Sequence, residues 1–300
     1  MSWLSTARQC LARCATPIAR RAAQAYVAGD SLEQAVGVAE RWTRLGMGIT
    51  LGYWDAPGDR PRRVADEYLA QIMVLSTMEH GYLSIKLPGI DFSEPLFFET
   101  VERAARHRVR VHVDSLGPEV AERTRTLIDG ALERGGTISY SIPGRWTRSV
   151  EDASWAAERG ITVRVVKGQW PDPDHPQIDP AEGYLRVVDR LAGKARHVAV
   201  ATHDSALAAE AVRRLRAADT TCHLELLHGL PMRPSLDLAD ELALGVYVYV
   251  PYGKAYLPYA LSKAKAEPRI MWWLVRDLLS SWRPYRPATD RRRELVSNEI

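Results

Sequence analysis

Residues 118–142 read PEVAERTRTLIDGALERGGTISYSI, and this stretch contains the unit from which the whole fold is predicted. Its first part has apolar residues at a 3.6-residue period, which is typical of an amphipathic helix, and its end is a short strand-like run. The same helical period appears in residues 61–79 and 205–219, each time between two strand-like runs. The stretch therefore represents a repeated helix and strand unit.

Eight strand-like runs can be counted, separated by about 20 to 35 residues, the length that a right-handed crossover helix needs. This alternation predicts an α/β protein with a (β/α)8 TIM-type barrel. A doubly wound open sheet also alternates, but no glycine-rich dinucleotide motif follows the first run. The runs are GITLGYWD (48–55), YLSIKL (82–87), RVHVD (110–114), TISYSI (137–142), TVRVVK (162–167), HVAVATHD (197–204), HLELL (223–227) and VYVYVP (246–251).

The ends of the chain are predicted to lie outside the barrel. Residues 1–29 contain arginines and no acidic residue, which superficially resembles a transit peptide, but an amphipathic helix is the simpler interpretation. A second helix is predicted over residues 31–45, with Ser31 as N-cap and Gln34 three residues later. We therefore expect N-terminal helices over 1–45 that pack on the barrel, the barrel itself over 46–282 and a C-terminal tail over 283–300.

Composition limits the classes of partner. The chain has 300 residues, 46% hydrophobic and 26% charged, with a net charge of +3 that is dispersed rather than clustered, so no nucleic-acid partner is expected. No apolar run approaches the roughly 20 residues of a spanning helix. Three cysteines without metal-type spacing favour a reducing compartment, and we predict a cytoplasmic protein without a metal site.

Polar residues follow nearly every predicted strand. The carboxyl ends of barrel strands surround one mouth, where barrel enzymes build their active sites, so these residues are expected to converge. The strand ends are Trp54-Asp55, Lys86, Asp114, Pro143-Gly144-Arg145, Lys167-Gly168, Thr202-His203-Asp204, Glu225 with His228, and Tyr249.

The fifth strand poses a specific question, because TVRVVKGQW (162–170) carries Arg164 and Lys167 in an apolar run. An unpaired charge there costs several kcal/mol, so either the strand holds an anionic ligand, or it holds a buried carboxylate, or its assignment as an apolar strand is wrong. Three chemistries fit: a Schiff base on Lys86 or Lys167 with Asp114 as proton shuttle, a metal site, or a phosphate-bearing cofactor. Strand and helix spacing argue against the metal site, whose candidate ligands are His112, Asp114, His203, Asp204, Glu225 and His228.

Six segments, in order along residues 30–282, together resemble the proline dehydrogenase family, whose fold is a (β/α)8 barrel that holds FAD. They correspond to the family's second, third, fifth, sixth, seventh and eighth strand segments, the last with its final helix. The segments are LSIKL (83–87), VHVDS (111–115), VRVVKG (163–168), ATHD (201–204), LELLHG (224–229) and YVPYGKAYLPY (249–259).

The resemblance implies roles for individual residues. Lys86, Asp114 and Arg164 would be catalytic, with Arg164 beside the flavin N5, where a cation stabilises negative charge on the ring. The implied cofactor-binding residues are Arg164, Val166, Lys167, Gly168, Trp170, Thr202 and His203. The implied substrate-binding residues are Lys86, Asp114, Leu227, Tyr249, Tyr259, Ser262 and Lys263.

The sequence departs from the family in two places. Ser262 and Lys263 stand where the family has two consecutive arginines that clamp the proline carboxylate, and Ala266 stands where it has a glutamate. A serine and a lysine cannot reproduce bidentate guanidinium contacts. The fourth-strand segment TISYSIPGRW (137–146) also lacks a match to the family's flavin-facing glutamine.

We therefore expect an FAD-dependent dehydrogenase or oxidase that transfers hydride from a C–N bond of proline, a proline analogue or another small amine or N–N compound. The alternatives are a non-catalytic barrel and a Schiff-base lyase. The expected partners are the amine substrate and an electron acceptor, which is a quinone, oxygen or a redox protein. The DRRRE run at 290–294 is interpreted as a solvated tail, with weak peripheral membrane contact as the alternative.

Overall fold

The computed structural model describes residues 28–56 and 58–253. Within them, eight parallel strands follow one another in sequence order around a closed barrel, and β8 pairs with β1. The prediction of a (β/α)8 barrel is therefore confirmed, and the open-sheet alternative is wrong. The strands are β1 (Gly48–Tyr53), β2 (Gly81–Ile85), β3 (Arg110–Val113), β4 (Ile138–Pro143), β5 (Thr162–Val166), β6 (His197–Ala201), β7 (Thr221–Leu227) and β8 (Val246–Tyr252).

Among the described residues, one helix precedes β1, and the others connect successive strands. The first is α1, in which Ser31 accepts a hydrogen bond from the Gln34 N–H while the Gln34 side chain reaches back, forming the predicted capping box. It packs on β1 and β8. The helices are α1 (Leu32–Thr43), α2 (Pro61–Leu75), α3 (Glu94–Arg106), α4 (Ala121–Glu133), α5 (Ser149–Glu158), α6 (Pro180–Leu191), α7 (Ser205–Ala217) and α8 (Arg233–Glu241).

The apolar core lies between the strands and the surrounding helices. Alternate residues of each strand, such as Leu51, Val163 and Val248, are fully buried there with helix residues such as Ile72 and Val187. Because side chains alternate across a strand, the other half of each strand faces the barrel axis. Burying each such Val or Leu contributes about 1.5–3 kcal/mol relative to exposure.

The interior of the barrel is polar, in contrast to the branched aliphatic layers that usually fill barrels of this type. Thr50, Ser84, His112, Arg164 and Glu225 are all buried strand residues. Hydrogen bonds join strands that are not neighbours, for example from the Thr50 hydroxyl in β1 to Glu225 in β7. These polar groups therefore replace a hydrocarbon filling and must satisfy one another.

The predicted domain limits at 45/46 and 282/283 stay predictions. Residues 1–27 and 254–300, which include most of the predicted N-terminal helices and the tail, lie outside the described residues. Among the helices of the described part, none is long and apolar enough to cross a bilayer.

Candidate functional site

Lys86 is held at the mouth of the barrel directly after β2. Its backbone N–H donates to the Tyr68 hydroxyl at 3.0 Å, and its carbonyl accepts from the same hydroxyl at 3.2 Å, which fixes the chain to helix α2. The ammonium Nζ donates to Asp114 Oδ2 at 2.9 Å and to the Tyr249 hydroxyl at 3.0 Å. It also lies 4.6 Å from the centroid of the Trp54 ring, within the range of a cation–π contact.

The charge state of Lys86 argues against the Schiff-base alternative. Burial is the largest influence and opposes the charge on this ammonium, but Asp114, Tyr249 and Tyr68 together outweigh it, so the pKa of Lys86 is raised above its ordinary value. A Schiff-base lysine must instead lose its proton to act as a nucleophile. Lys86 is therefore a permanent cation at neutral pH.

Arg164 lies at the centre of the site, in β5. Its Nε and Nη2 donate to the two oxygens of Glu225 at 2.8 and 2.6 Å, and its Nη1 donates to Asp114 Oδ1 at 2.9 Å. Nη2 also donates to the Tyr82 hydroxyl at 3.1 Å. The cation in this apolar strand therefore holds the buried Glu225 and the partly buried Asp114, and a buried carboxylate was one of the three predicted explanations.

Glu225 completes the network from β7. It is only 4% exposed and accepts hydrogen bonds from Thr50, Tyr82 and Arg164. Burial tends to raise its pKa, but the adjacent Arg164 outweighs burial, so the pKa of Glu225 is lowered. Sequence reasoning placed Glu225 at a strand end and among the candidate metal ligands, but gave it no catalytic, cofactor-binding or substrate-binding role. A lone carboxylate in the apolar run HLELL was the available signal.

The four charged side chains of the network balance one another. Lys86 and Arg164 supply two positive charges, and Asp114 and Glu225 supply two negative charges, all paired within 3.0 Å. Burial opposes ionisation of Asp114, yet Lys86 and Arg164 hold its pKa below the ordinary value. These shifts favour the ionised form of all four groups, so the network presents two positive and two negative charges near pH 7.

His112 lies beside this network in β3. Its Nδ1 and Nε2 hydrogen-bond to Ser139 at 2.9 Å and Ser141 at 2.8 Å, both in β4. Burial and the nearby positive charges of Arg164 lower the pKa of His112 well below 6.5, so the ring is neutral. Both ring nitrogens are thus used within the protein. Within the described ranges, no group of three or more His, Cys, Asp or Glu side chains is placed to hold a metal ion.

Tyr249 and Leu227 form one wall of the mouth. They are paired in register between β7 and β8. The Tyr249 hydroxyl accepts from Trp54 Nε1 at 3.2 Å as well as from Lys86. Gly52 in β1 makes room for this ring, since a Cβ there would lie 2.4 Å from the Tyr249 hydroxyl. Tyr259, Ser262 and Lys263 lie outside the described residues.

Lys167 differs from its prediction. It was assigned to the apolar fifth strand, but β5 ends at Val166, and the Lys167 side chain is 39% exposed. Its ammonium pairs with Asp204 at 3.0 Å, at the start of α7. Lys167 therefore carries no buried-charge cost, and only Arg164 needed the explanation. The strand ends early because Gly168, with φ of +88°, turns the backbone into the left-handed region.

The remaining predicted cofactor-binding residues lie at the last position of β5, which is Val166, and on the loops after β5 and β6. Trp170 is 47% exposed. The Thr202 hydroxyl accepts from the Asp204 N–H at 3.1 Å. His203 bonds through Nδ1 to the Pro231 carbonyl and accepts from the Leu227 N–H, each at 2.9 Å, and burial lowers its pKa. His203 thus ties two loops together, and Val166 is partly buried.

No family model matches the chain. It is 25% identical over 279 residues to proline dehydrogenase 1 of Bacillus subtilis, covering 87% of this chain and 91% of that protein. It is 24% identical over 285 residues to the proline dehydrogenase of Deinococcus radiodurans, covering 86% and 90%.

Solved structures share the fold. Proline utilization A (PutA) from Bdellovibrio bacteriovorus superposes with a TM-score of 0.72 at 15% identity, over 89% of this chain. PutA from Bradyrhizobium japonicum gives 0.66 at 17% identity, over 92%. The chain spans 35% of each of those PutA chains. The near full-length matches to two proline dehydrogenases and the shared barrel lead to one conclusion: this chain is similar to the proline dehydrogenases in sequence and has the barrel fold of the PutA structures.

Proposed function

We propose that this protein is an FAD-dependent oxidoreductase of the proline dehydrogenase type that oxidises a CH–NH donor. The observation that carries the proposal is the buried network of Lys86, Asp114, Arg164 and Glu225 at the carboxyl ends of the strands. Taking charged groups out of water is costly even when they are paired. Active sites are where proteins concentrate such groups. Relatives named proline dehydrogenase, aligned over nearly their whole length, support the same activity.

The loops beside this network fit a cofactor that carries phosphates. Arg145, on the loop after β4, has a buried Nε with no hydrogen-bond partner among the described residues. Its Nη1 donates to the Gln169 carbonyl at 2.8 Å, which places it against the loop that contains Lys167 and Gly168. We assign FAD binding to this region, with Val166, Lys167, Gly168, Trp170, Thr202 and His203. The bound cofactor supplies the hydride acceptor.

We assign Arg164 to the flavin ring. A cation held there stabilises the negative charge that the ring gains with the hydride. Two carboxylates keep the guanidinium in place, so little reorganisation is needed during the reaction. Lys86, Asp114, Leu227 and Tyr249 are assigned to the substrate pocket, with Tyr259, Ser262 and Lys263 from the following segment.

The substrate amine must lose its proton outside this network. Asp114 has a lowered pKa and Lys86 a raised one, so neither group accepts a proton near pH 7. The amine therefore enters in its unprotonated form. We expect kcat/KM to rise with pH up to the pKa of the substrate amine, because that group then controls the reactive fraction.

We propose a proline analogue or another small amine or N–N compound, rather than proline itself, as the preferred substrate. Within the described residues, Lys86 and Arg164 are both already paired with carboxylates. Ser262 and Lys263 replace the arginine pair that clamps a carboxylate in the family. Fewer guanidinium contacts weaken carboxylate recognition by about 1.5–3 kcal/mol for each lost charged hydrogen bond.

The test is the visible spectrum of the purified protein during anaerobic addition of L-proline, cyclic amines and hydrazine derivatives. We expect flavin absorption at about 450 nm. A cyclic amine or a hydrazine should bleach this absorption at a lower concentration than L-proline does. Saturation by L-proline at the lowest concentration would contradict the substrate proposal. A folded protein that gains no flavin absorption with added FAD would contradict the proposed activity.

For the electron acceptor we propose three candidates: oxygen, a quinone or a redox protein. Reoxidation of the bleached protein by oxygen, a soluble quinone or a redox protein identifies which of the three accepts the electrons. We propose a cytoplasmic protein. Binding to anionic vesicles would favour a peripheral contact through the basic residues at 290–294.

A further inference from the structure

We propose that Glu225 is a positioning residue that sets how much of the Arg164 charge acts on the flavin, and thereby tunes the flavin's affinity for electrons. This inference rests on the proposed function, because it requires flavin at the mouth of the barrel. It assigns a role to Glu225, which the family resemblance left without one.

The geometry gives Glu225 close control over Arg164. The two side chains form a bidentate pair through Nε and Nη2, at 2.8 and 2.6 Å. Such a pair fixes the plane of the guanidinium as well as its position. Thr50 in β1 and Tyr82 in β2 donate to the two oxygens of Glu225, so the carboxylate is itself held in place.

Solvent does not screen this pair. The side chains of Arg164 and Glu225 are 6% and 2% exposed. In such surroundings the effective dielectric constant is far below that of water, so a charge removed from one partner is felt strongly nearby. The carboxylate therefore cancels a large part of the field that Arg164 directs at the mouth.

The two carboxylates that face Arg164 are not equivalent. Asp114 divides its oxygens between Lys86 and Arg164. In the described ranges, the ion pair of Glu225 is with Arg164. Removing the Asp114 charge therefore disturbs Lys86 and the substrate pocket as well. Removing the Glu225 charge changes the compensation of Arg164 and leaves the contacts of Lys86 unchanged.

The probe for this charge is sulfite, which forms a reversible adduct with oxidised flavin. The sulfur lone pair forms a bond to N5, and the ring takes the electron pair as negative charge, so nearby positive charge strengthens binding and the flavin absorption bleaches. The variant is Glu225→Gln, which keeps the size of the side chain and an acceptor for Arg164. We expect the dissociation constant of sulfite to fall about tenfold, with a matching rise of about 30 mV in the two-electron midpoint potential.

Asp152→Asn is the matched control. Asp152 is a buried carboxylate in α5 that bonds to Arg148 at 2.8 and 3.0 Å and to Arg125 at 3.1 Å. This variant makes the same chemical change in an arginine-bound carboxylate of the helical layer. We expect lower stability and an unchanged sulfite dissociation constant.

The outcomes separate the inference from the function on which it rests. Flavin-loaded Glu225→Gln with the sulfite affinity and potential of the unaltered protein would refute the role of Glu225 and leave the proposed function intact. Unaltered protein that binds no flavin would remove both.

A second variant decides the matter if Glu225→Gln does not fold or bind flavin. Thr50→Val removes one donor to Glu225 at nearly constant volume. The carboxylate then compensates Arg164 more fully, so sulfite should bind at least about twofold more weakly, a sign opposite to that of Glu225→Gln. Unchanged sulfite binding in Thr50→Val would count against the inference.

Discussion

Replacing Arg164 with methionine tests whether the buried network is held together as described. Arg164 is 5% exposed and donates four hydrogen bonds, two of them to Glu225. Methionine is similar in length but leaves Glu225 without its cation, while Asp114 keeps Lys86. Removing one partner of a buried ion pair costs about 3–5 kcal/mol. We expect that loss in the free energy of unfolding at pH 7.5.

The loss should depend on pH with a definite sign. In the unaltered protein the folded pKa of Glu225 is lowered, so its contribution is present above the ordinary value of 4.5 and is lost as pH falls through the folded pKa. Without Arg164, burial raises that pKa instead, so Glu225 takes up a proton on mild acidification. The stability difference between the two proteins should therefore shrink between pH 7.5 and 5.5.

Urea unfolding followed by circular dichroism measures these differences, with and without FAD so that lost cofactor affinity is separated from lost fold stability. Arg164→Met/Glu225→Gln should recover most of the loss, because no unpaired charge remains. Arg159→Met is the control: its pair with Asp129 is about one-third exposed and should contribute less than about 1 kcal/mol. A loss below about 1 kcal/mol in Arg164→Met, or one that neither acid nor the second substitution reduces, would refute this reasoning.

Three further predictions concern other parts of the barrel. Lys86→Met should lower kcat/KM for the amine about 10- to 100-fold, since charged hydrogen bonds to Asp114 and Tyr249 are lost. The variant should keep its flavin absorption. Unchanged kinetics would exclude Lys86 from the substrate pocket. Gly168→Ala should lower the free energy of unfolding by at least about 1 kcal/mol more than Gly160→Ala does, as measured by thermal or urea unfolding. Both glycines have positive φ, but of the two only Gly168 has a neighbouring atom that an added Cβ would meet, 2.7 Å away. Burial lowers the pKa of His228 to about 4, so the free energy of unfolding should fall as pH drops from 6.5 toward 4. His228→Gln should make the free energy of unfolding depend less on pH in this range. An unchanged pH dependence would contradict the role given to His228.

Much of the fold was predictable from local patterns. The strand runs, the 3.6-residue helical period and the capping box of Ser31 and Gln34 depend on residues close together in the chain. The location of Lys86 and Asp114 at strand ends, and of Arg164 within the fifth strand, followed from the same alternation. Lys167 was placed in the strand because an apolar run does not show where the backbone turns, and Gly168 turns it one residue earlier than expected.

The partners within the site were not predictable in this way. Arg164 and Glu225 are separated by 61 residues and Thr50 and Glu225 by 175, and nothing local couples them. By itself, the sequence determined that polar residues follow the strands of a barrel and that a cation in β5 needs compensation. Only the closed barrel decided that Glu225 provides it, because strand register and closure set which inward side chains meet across the axis.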